Sequence, residues 1–422
     1  LNTVAAQEKK TSTPTVLHVA PINKPINPEL GYGPIETVIY NIDKGLRVSG
    51  HHSIVACSAD SDVAGEHFAT LDRSLGDYCR EETSAQRAIV NRHLMKALAR
   101  ARMGDIDIIH MHGWLECIYG GMFNPDLPIV MTLHVPAENS GMDDAQNLCF
   151  NTMLSPSMHF VSISDYQRRQ YHGLDNVETI HHGINVDDYP CDIPPEKQDY
   201  LFMIGRITPD KGQDNAIELA RKTGSRLVIA GCVQDKSADR AYFESLRSSI
   251  DLTVDIGDAP VDKDYYESIM KPLLGSGKQI IYIGESSSAQ KKQWYRHARA
   301  TLFPIQWGEP FGLVLLESMA CGTPVLAFRK GAVPEIIVNG KTGFIVDTLD
   351  EMIAASGRIP LLEPAACRRH VQNHFSTCSM AGKYSELYQR IINRGRRLDT
   401  EVRTGTKLPA AIQPVLAGSE AS

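Results

Sequence analysis

Short apolar-rich runs alternate along the chain with longer segments of helical period. Residues 15–20 (TVLHVA), 53–57, 106–110 and 129–134 have strand length, and helical patterns at 35–48 and 83–103 stand between them. Runs so poor in polar residues predict strands buried on both faces, hence a mainly parallel sheet flanked by helices. In such sheets ligands bind beyond the C-terminal strand ends. Residues 177–185 close this first series, and 190–198, rich in Pro and charge, reads as a linker. The alternation then restarts, with strands expected at 200–205, 226–230, 279–283, 300–304, 324–327 and 344–346. Residues 232–274 are long and charged, with helices expected at 238–250 and 263–274 and no function read from them.

Two successive series in 422 residues predict two α/β domains, because one hydrophobic core rarely serves a chain of that length. The expected organisation is a polar extension at 1–14, a first domain at 15–190, a second at 191–375, a helix at 376–398 and a tail at 399–422. Lys and Arg total 43 against 50 acids, a formal charge of −7, which argues against a protein that binds nucleic acid through broad phosphate neutralisation. The basic run Arg390, Arg394, Arg396 and Arg397 reads as a solvated helix end. Nine cysteines lie singly without a C-x-x-C pair, the pattern of reduced thiols in a cytoplasmic protein. No signal peptide is visible and no run of apolar residues is long enough to span a membrane, which leaves only peripheral membrane contact open.

The chemistry concentrates in Gly308-Glu309-Pro310-Phe311-Gly312-Leu313, which runs on through Glu317 to Gly322. Residues 313–321 are strong helix formers with Gly322 placed to end the helix, and Glu317 is the only acid among neighbours that read as core. A buried carboxylate needs partners, and sugar or ribose hydroxyls can donate paired hydrogen bonds to it. The amides of Phe311, Gly312 and Leu313 at the helix start suit phosphate or sugar oxygens, and Gly312 permits close approach. Arg206 and Lys211 flank a turn after a strand, so both cations can reach one pyrophosphate. Two look-alikes fail: Gly275-Ser276-Gly277-Lys278 lacks the rest of a P-loop, and no G-x-G-x-x-G follows the first strand.

The phrase from Glu309 to Glu317 resembles the E-x7-E signature of retaining glycosyltransferases of family 4, which have the GT-B fold of two Rossmann-like domains facing across a cleft. Gly205-Arg206 with Lys211-Gly212 is similar to that family's GR-x-KG element, and Leu227 to Gly231, Ile281 to Glu285, Gly322-Thr323-Pro324-Val325 and Pro334-Glu335 follow in family order. The resemblance covers about residues 15–395. It implies an acceptor domain first, a nucleotide-sugar domain second, and a last helix that crosses back to the first; residues 380–391 have the period to do so.

The resemblance also implies roles. Glu309 contacts hydroxyls of the transferred sugar, Glu317 the ribose, and Ser286 lies near the base. His134 matches the T-x-H element and faces the donor sugar; with Glu309 it would orient the sugar, while Arg206 and Lys211 stabilise the departing diphosphate. Gly31-Tyr32-Gly33-Pro34 resembles the glycine loop near the phosphate, with Pro34 where a second glycine is common and one N–H is lost. Ser164 reads either as a polar group at the cleft or as a helix N-cap, and the pairs His51-His52 and His181-His182 as structural or surface groups. His110, His112 and His134 lack a fourth ligand, so no metal and no cofactor are expected beyond the co-substrate.

The expected partners are a nucleotide-sugar donor, a UDP-sugar first and GDP-mannose second, and a hydroxyl acceptor that is a glycan, a lipid-linked sugar or a small molecule. Two other readings remain: a nucleotide-sugar epimerase on the same fold, which would need an added acid/base pair, and a non-catalytic nucleotide-sugar binding protein, which would tolerate loss of Glu309 or Lys211.

Overall fold

In a computed structural model the described residues are 13–29, 33–76, 84–113, 124, 126–136, 158–171, 174, 176–191, 197–257 and 259–404, with backbone alone from 396. Within them the apolar runs form strands as expected. Strands β1 (Thr15–Val19), β2 (His52–Ser58), β3 (Glu66–Leu71), β4 (Ile108–Met111), β5 (Ile129–Leu133), β6 (Met158–Ser162) and β7 (Val177–Thr179) make one sheet, ordered β3-β2-β1-β4-β5-β6-β7. All its pairs are parallel, and the central strands β4 and β5 are buried throughout, which is why they read as apolar runs broken only by His110 and Thr132. Helix α1 (Pro34–Val48) follows β1, and α2 (Ser84–Ala101) precedes β4.

Strands β8 (Leu201–Ile204), β9 (Leu227–Ala230), β10 (Leu252–Thr253), β11 (Ile280–Tyr282), β12 (Ala300–Phe303), β13 (Val325–Phe328) and β14 (Gly343–Val346) make a second parallel sheet, ordered β10-β11-β9-β8-β12-β13-β14. The two sheets are the α/β architecture of the GT-B fold. Sequence reading did not identify β3, β6, β7 and β10. Glu66 and His67 expose the start of edge strand β3, and β10 has only two residues, so neither carries an apolar run. Within the charged stretch 232–274 a helix forms at Ser237–Arg247, and a π-turn, Tyr266–Met270, leads into the short helix Lys271–Gly275.

The last helix, Thr377–Thr404, runs past residue 398, where the sequence reading ended it. Its Met380, Ala381, Tyr384, Leu387, Tyr388 and Ile391 recur at helical spacing and pack on Val16, Val38, Ile42, Ile108, Val130 and Val161 of the first sheet and α1. Residues 1–12 of the polar extension, Gly31 and Tyr32 of the glycine loop, 192–196 of the linker and 405–422 of the tail lie outside the described residues.

Polar contacts join the lobes. Ser164 caps the six-residue helix Asp165–Gln170, accepting from the Gln167 amide, and donates through Oγ to the Pro310 carbonyl at 2.6 Å. The Asp165 and Tyr166 amides donate to the two oxygens of Glu335, which also pairs with His181 Nε2 at 2.9 Å. A carboxylate on exposed amides at a helix start is favourable on charge grounds. Burial pushes the Glu335 carboxyl up, but His181 and the two amides outweigh it and hold it below its ordinary value.

Candidate active site

Between the sheets lies a cavity of about 410 Å³, lined by the C-terminal edges of β5, β6, β8 and β12, the placement expected for parallel sheets. Its floor is the segment from Trp307 to Val314. After β12 the chain turns through Pro304 to Gly312, and helix Leu313–Ala320 begins where Gly312 adopts φ +98. That helix start leaves its first amides without intrahelical acceptors at the cavity wall. Beneath the turn, Gly331 (φ +55) lies so close to the Glu309 backbone that any Cβ there would collide with it, and the Ala332 amide donates to the Glu309 carbonyl at 2.9 Å.

Glu309 and Lys211 meet across the cavity, Nζ to Oε2 at 2.7 Å, with Lys211 Nζ also 5.4 Å from the Trp307 ring centre. Lys211 reaches this point because the turn Pro209–Lys211 follows β8, adjacent to β12 in the sheet. Arg206 comes from the same connection, lines the cavity, and donates to the neutral amide oxygen of Gln234 at 3.2 Å. Glu317 is 5% exposed and receives Lys291 Nζ at 2.6 Å, the Tyr295 hydroxyl at 3.2 Å and the Tyr189 hydroxyl at 3.4 Å. Burial and the neighbouring Glu317 push both tyrosine hydroxyls far up, so they remain donors. Among the described residues the cavity lining thus carries three cations, Arg206, Lys211 and Lys291, against two acids, and each acid is engaged by a lysine. Among the described residues, Arg206 is the lining cation without a carboxylate partner, and an incoming phosphate would supply one.

The opposite wall holds His134 and His182. The Phe311 ring meets His182 edge-on at 4.9 Å. His134 Nε2 contacts His112 Nδ1 at 3.1 Å, and burial lowers the His134 pKa to about 3, so the ring is neutral.

The structure therefore brings Glu309, His134, Arg206, Lys211, Phe311, Gly312, Leu313 and Glu317 to one cavity. Two expected site residues are not in its lining. Ser286 is buried with its Oγ unpartnered among the described residues. Gly33 stands before α1 in an extended conformation, and the following Pro34 and Ile35 line the cavity instead. Lys291 and Trp307 were not foreseen. Lys291 lies in a polar helix, Ser288–His297, whose sequence pattern does not separate one lysine from its neighbours. Trp307 stands one residue before Gly308, so proximity to the two-acid phrase was its only signal.

Comparison with known proteins agrees with this geometry. The family description "Glycosyl transferases group 1" matches residues 192–373, and "Glycosyltransferase Family 4" matches residues 33–188. A D-inositol 3-phosphate glycosyltransferase of Mycolicibacterium smegmatis is 25% identical over 323 residues, which are 68% of this chain and 67% of the relative. Among solved structures, sucrose-phosphate synthase of Thermosynechococcus elongatus superposes with TM-score 0.65 at 17% identity, covering 90% of this chain and 100% of that one. HepE of Anabaena, in complex with UDP and glucose, superposes with TM-score 0.64 at 14% identity over 89% and 100% of the two chains. At identities this low the superpositions establish the shared fold alone.

Proposed function

The chain belongs to glycosyltransferase family 4, and we propose that it moves a sugar from a nucleoside diphosphate to an acceptor hydroxyl with retention at the anomeric carbon. The observation that carries this reading is Arg206, a cavity cation without a carboxylate partner among the described residues, placed beside the Lys211–Glu309 pair. As the glycosidic bond breaks, negative charge grows on the diphosphate. Arg206, Lys211 and the amides from Phe311 to Leu313 would meet it there without reorganising, which is how fixed dipoles lower a barrier. Glu309, already oriented by Lys211, would hold hydroxyls of the transferred sugar, and Glu317 those of the ribose.

With the leaving group held in place, the acceptor attacks from the face it departs from and passes its proton to a phosphate oxygen. No protein nucleophile and no metal is called upon. A UDP-sugar is the first expectation for the donor, supported by the UDP bound in the Anabaena neighbour, and GDP-mannose the second. The acceptor is a hydroxyl compound. The relatives named D-inositol 3-phosphate glycosyltransferases suggest a phosphorylated polyol as the first to try.

A thermal-shift screen of UDP, GDP, ADP and their sugars tests the reading, because a ligand that binds the folded state raises the midpoint by mass action. Transfer from the stabilising donor, with the anomeric configuration of the product read by NMR, tests retention. A protein that no nucleotide stabilises, or an inverted product, refutes it.

A further inference from the structure

Alternation along three neighbouring strands carries a row of polar side chains into the core of the first sheet. In β1, β4 and β5 the residues Val16, Ile108 and Val130 face the last helix, and two positions further on the same face stand His18, His110 and Thr132. Another step of two gives His112 and His134 at the C-terminal edge of the sheet. His18 and His110 are fully buried, and His112 is nearly so. Such a layer is costly unless its polar atoms are paired. The last helix supplies part of the pairing: the Tyr388 hydroxyl contacts His110 Nδ1 at 2.7 Å and the Tyr384 hydroxyl contacts Thr132 Oγ1 at 2.8 Å, while His110 Nε2 meets Thr132 Oγ1 at 2.7 Å.

The other histidines pair with one another. His18 Nδ1 lies 3.2 Å from His112 Nε2, and His112 Nδ1 lies 3.1 Å from His134 Nε2. Burial drives the pKa values of all three far below the ordinary range, so each ring is neutral and carries one N–H. A neutral ring that uses both nitrogens in hydrogen bonds must donate with one and accept with the other. The two contacts therefore share one direction, and the proton position at His18 dictates that at His134. At the inner end, His18 Nε2 is buried without a partner among the described residues. An orphaned buried N–H is the rarer and costlier defect, so the proton belongs on His18 Nδ1, which donates to His112. His112 then donates from Nδ1 to His134 Nε2, and the remaining nitrogen of His134 carries its proton.

We propose that His18 and His112 are positioning residues that fix the tautomer of His134, so that this ring presents an Nδ1–H to the cavity. Resting on the reading above, that N–H is a neutral donor for a sugar or phosphate oxygen, and it cannot compete with the leaving phosphate for the acceptor's proton. A neutral imidazole kept as a hydrogen-bond donor is a known way of polarising an oxygen without a charge. The same rings also form a cluster, His18, His110 and His112, whose ligand nitrogens lie within 4.8 Å of one another. A cation there would displace the hydrogen bonds that already occupy both nitrogens of His110 and of His112.

Nitrogen NMR of the full chain labelled at histidine tests the proposal, since protonated and bare ring nitrogens resonate far apart. In the ligand-free wild type, His18, His112 and His134 should each show Nδ1 protonated and Nε2 bare. In His18→Leu, which removes the donor, His134 should become a mixture of tautomers and turnover should fall roughly tenfold. His18→Asn, which keeps a donor at the Nδ1 position, should recover the single tautomer and most of the lost turnover.

A wild-type His134 protonated at Nε2, or a tautomer unmoved by His18→Leu, overturns the proposal. So does stoichiometric zinc binding that shifts the His110 and His112 nitrogens. Should the leucine variant fail to fold, the wild-type spectrum alone decides. Because the tautomers are read without substrate, absence of glycosyl transfer beside the expected spectrum would refute the proposed function and leave the relay standing.

Discussion

Lys211 Nζ sits 2.7 Å from Glu309 Oε2, although the two residues are 98 positions apart in the chain. Both side chains are mostly shielded from water, so the pair is ordered before any substrate enters. Loss of Lys211 would remove a cation from the diphosphate and also leave Glu309 facing like charge. Lys211→Ala should lower kcat/KM by about three orders of magnitude, roughly 4 kcal/mol. Adding Glu309→Gln to it should cost much less than the two single losses multiplied, because the residues act as a unit. Strictly multiplicative losses in steady-state kinetics would show that they do not.

Glu317 and Lys291 form the second pair, more deeply placed. Glu317→Ala strands a largely shielded ammonium and should destabilise the fold by about 3 kcal/mol in urea titrations. Glu317→Ala combined with Lys291→Met should recover most of that stability while nucleotide affinity stays low. Unchanged UDP and GDP affinity by calorimetry in the double variant would take both residues out of the site.

Gly331 stands under Glu309 with φ +55. Gly331→Ala demands both a left-handed conformation, at about 1 kcal/mol, and a shift of the Glu309 backbone. Turnover should fall by roughly tenfold or more while the melting midpoint drops only a few degrees. Wild-type turnover in this variant would mean that the position of Glu309 does not matter to the reaction.

Acid should weaken the fold earlier than carboxylate titration alone predicts. Burial holds His18 and His134 at about 3 and lowers His110, His112 and His182 far below 6.5. Between the folded and unfolded values the unfolded chain binds the extra protons, so stability is complete above pH 6.5 and declines as pH falls below it. Each such ring contributes a slope of about 1.4 kcal/mol per pH unit. Glu335, held below its ordinary 4.5, adds a loss only at lower pH. Urea midpoints at pH 7.5 and 5.5 measure the effect, and equal midpoints would contradict it.

Strand order and site were not equally legible. Runs such as Ile129 to Leu133 announce themselves because a strand buried on both faces carries few polar residues, Thr132 being the exception here. The phrase from Glu309 to Glu317 was legible because an acid in an apolar helix is conspicuous. Its partners were not. Lys291, Tyr189 and Tyr295 converge on Glu317 from 26, 128 and 22 positions away, and nothing local marks them. Gly33 and Ser286 show the reverse, since their places in a motif order did not bring them to the cavity lining.

Local periodicity and residue chemistry by themselves determined the two α/β series, an amphipathic last helix, and the acids and bases able to handle a charged sugar donor; the return of that helix to the first sheet came from the family resemblance. Those properties depend on neighbours in the chain, so they can be read from it. Tertiary structure alone decided which cation each acid meets, which cavity cation has no carboxylate partner among the described residues, and how four histidines and two tyrosines share one polar layer. Such pairings form between strands and helices distant in sequence, where burial, rather than local preference, selects the partner.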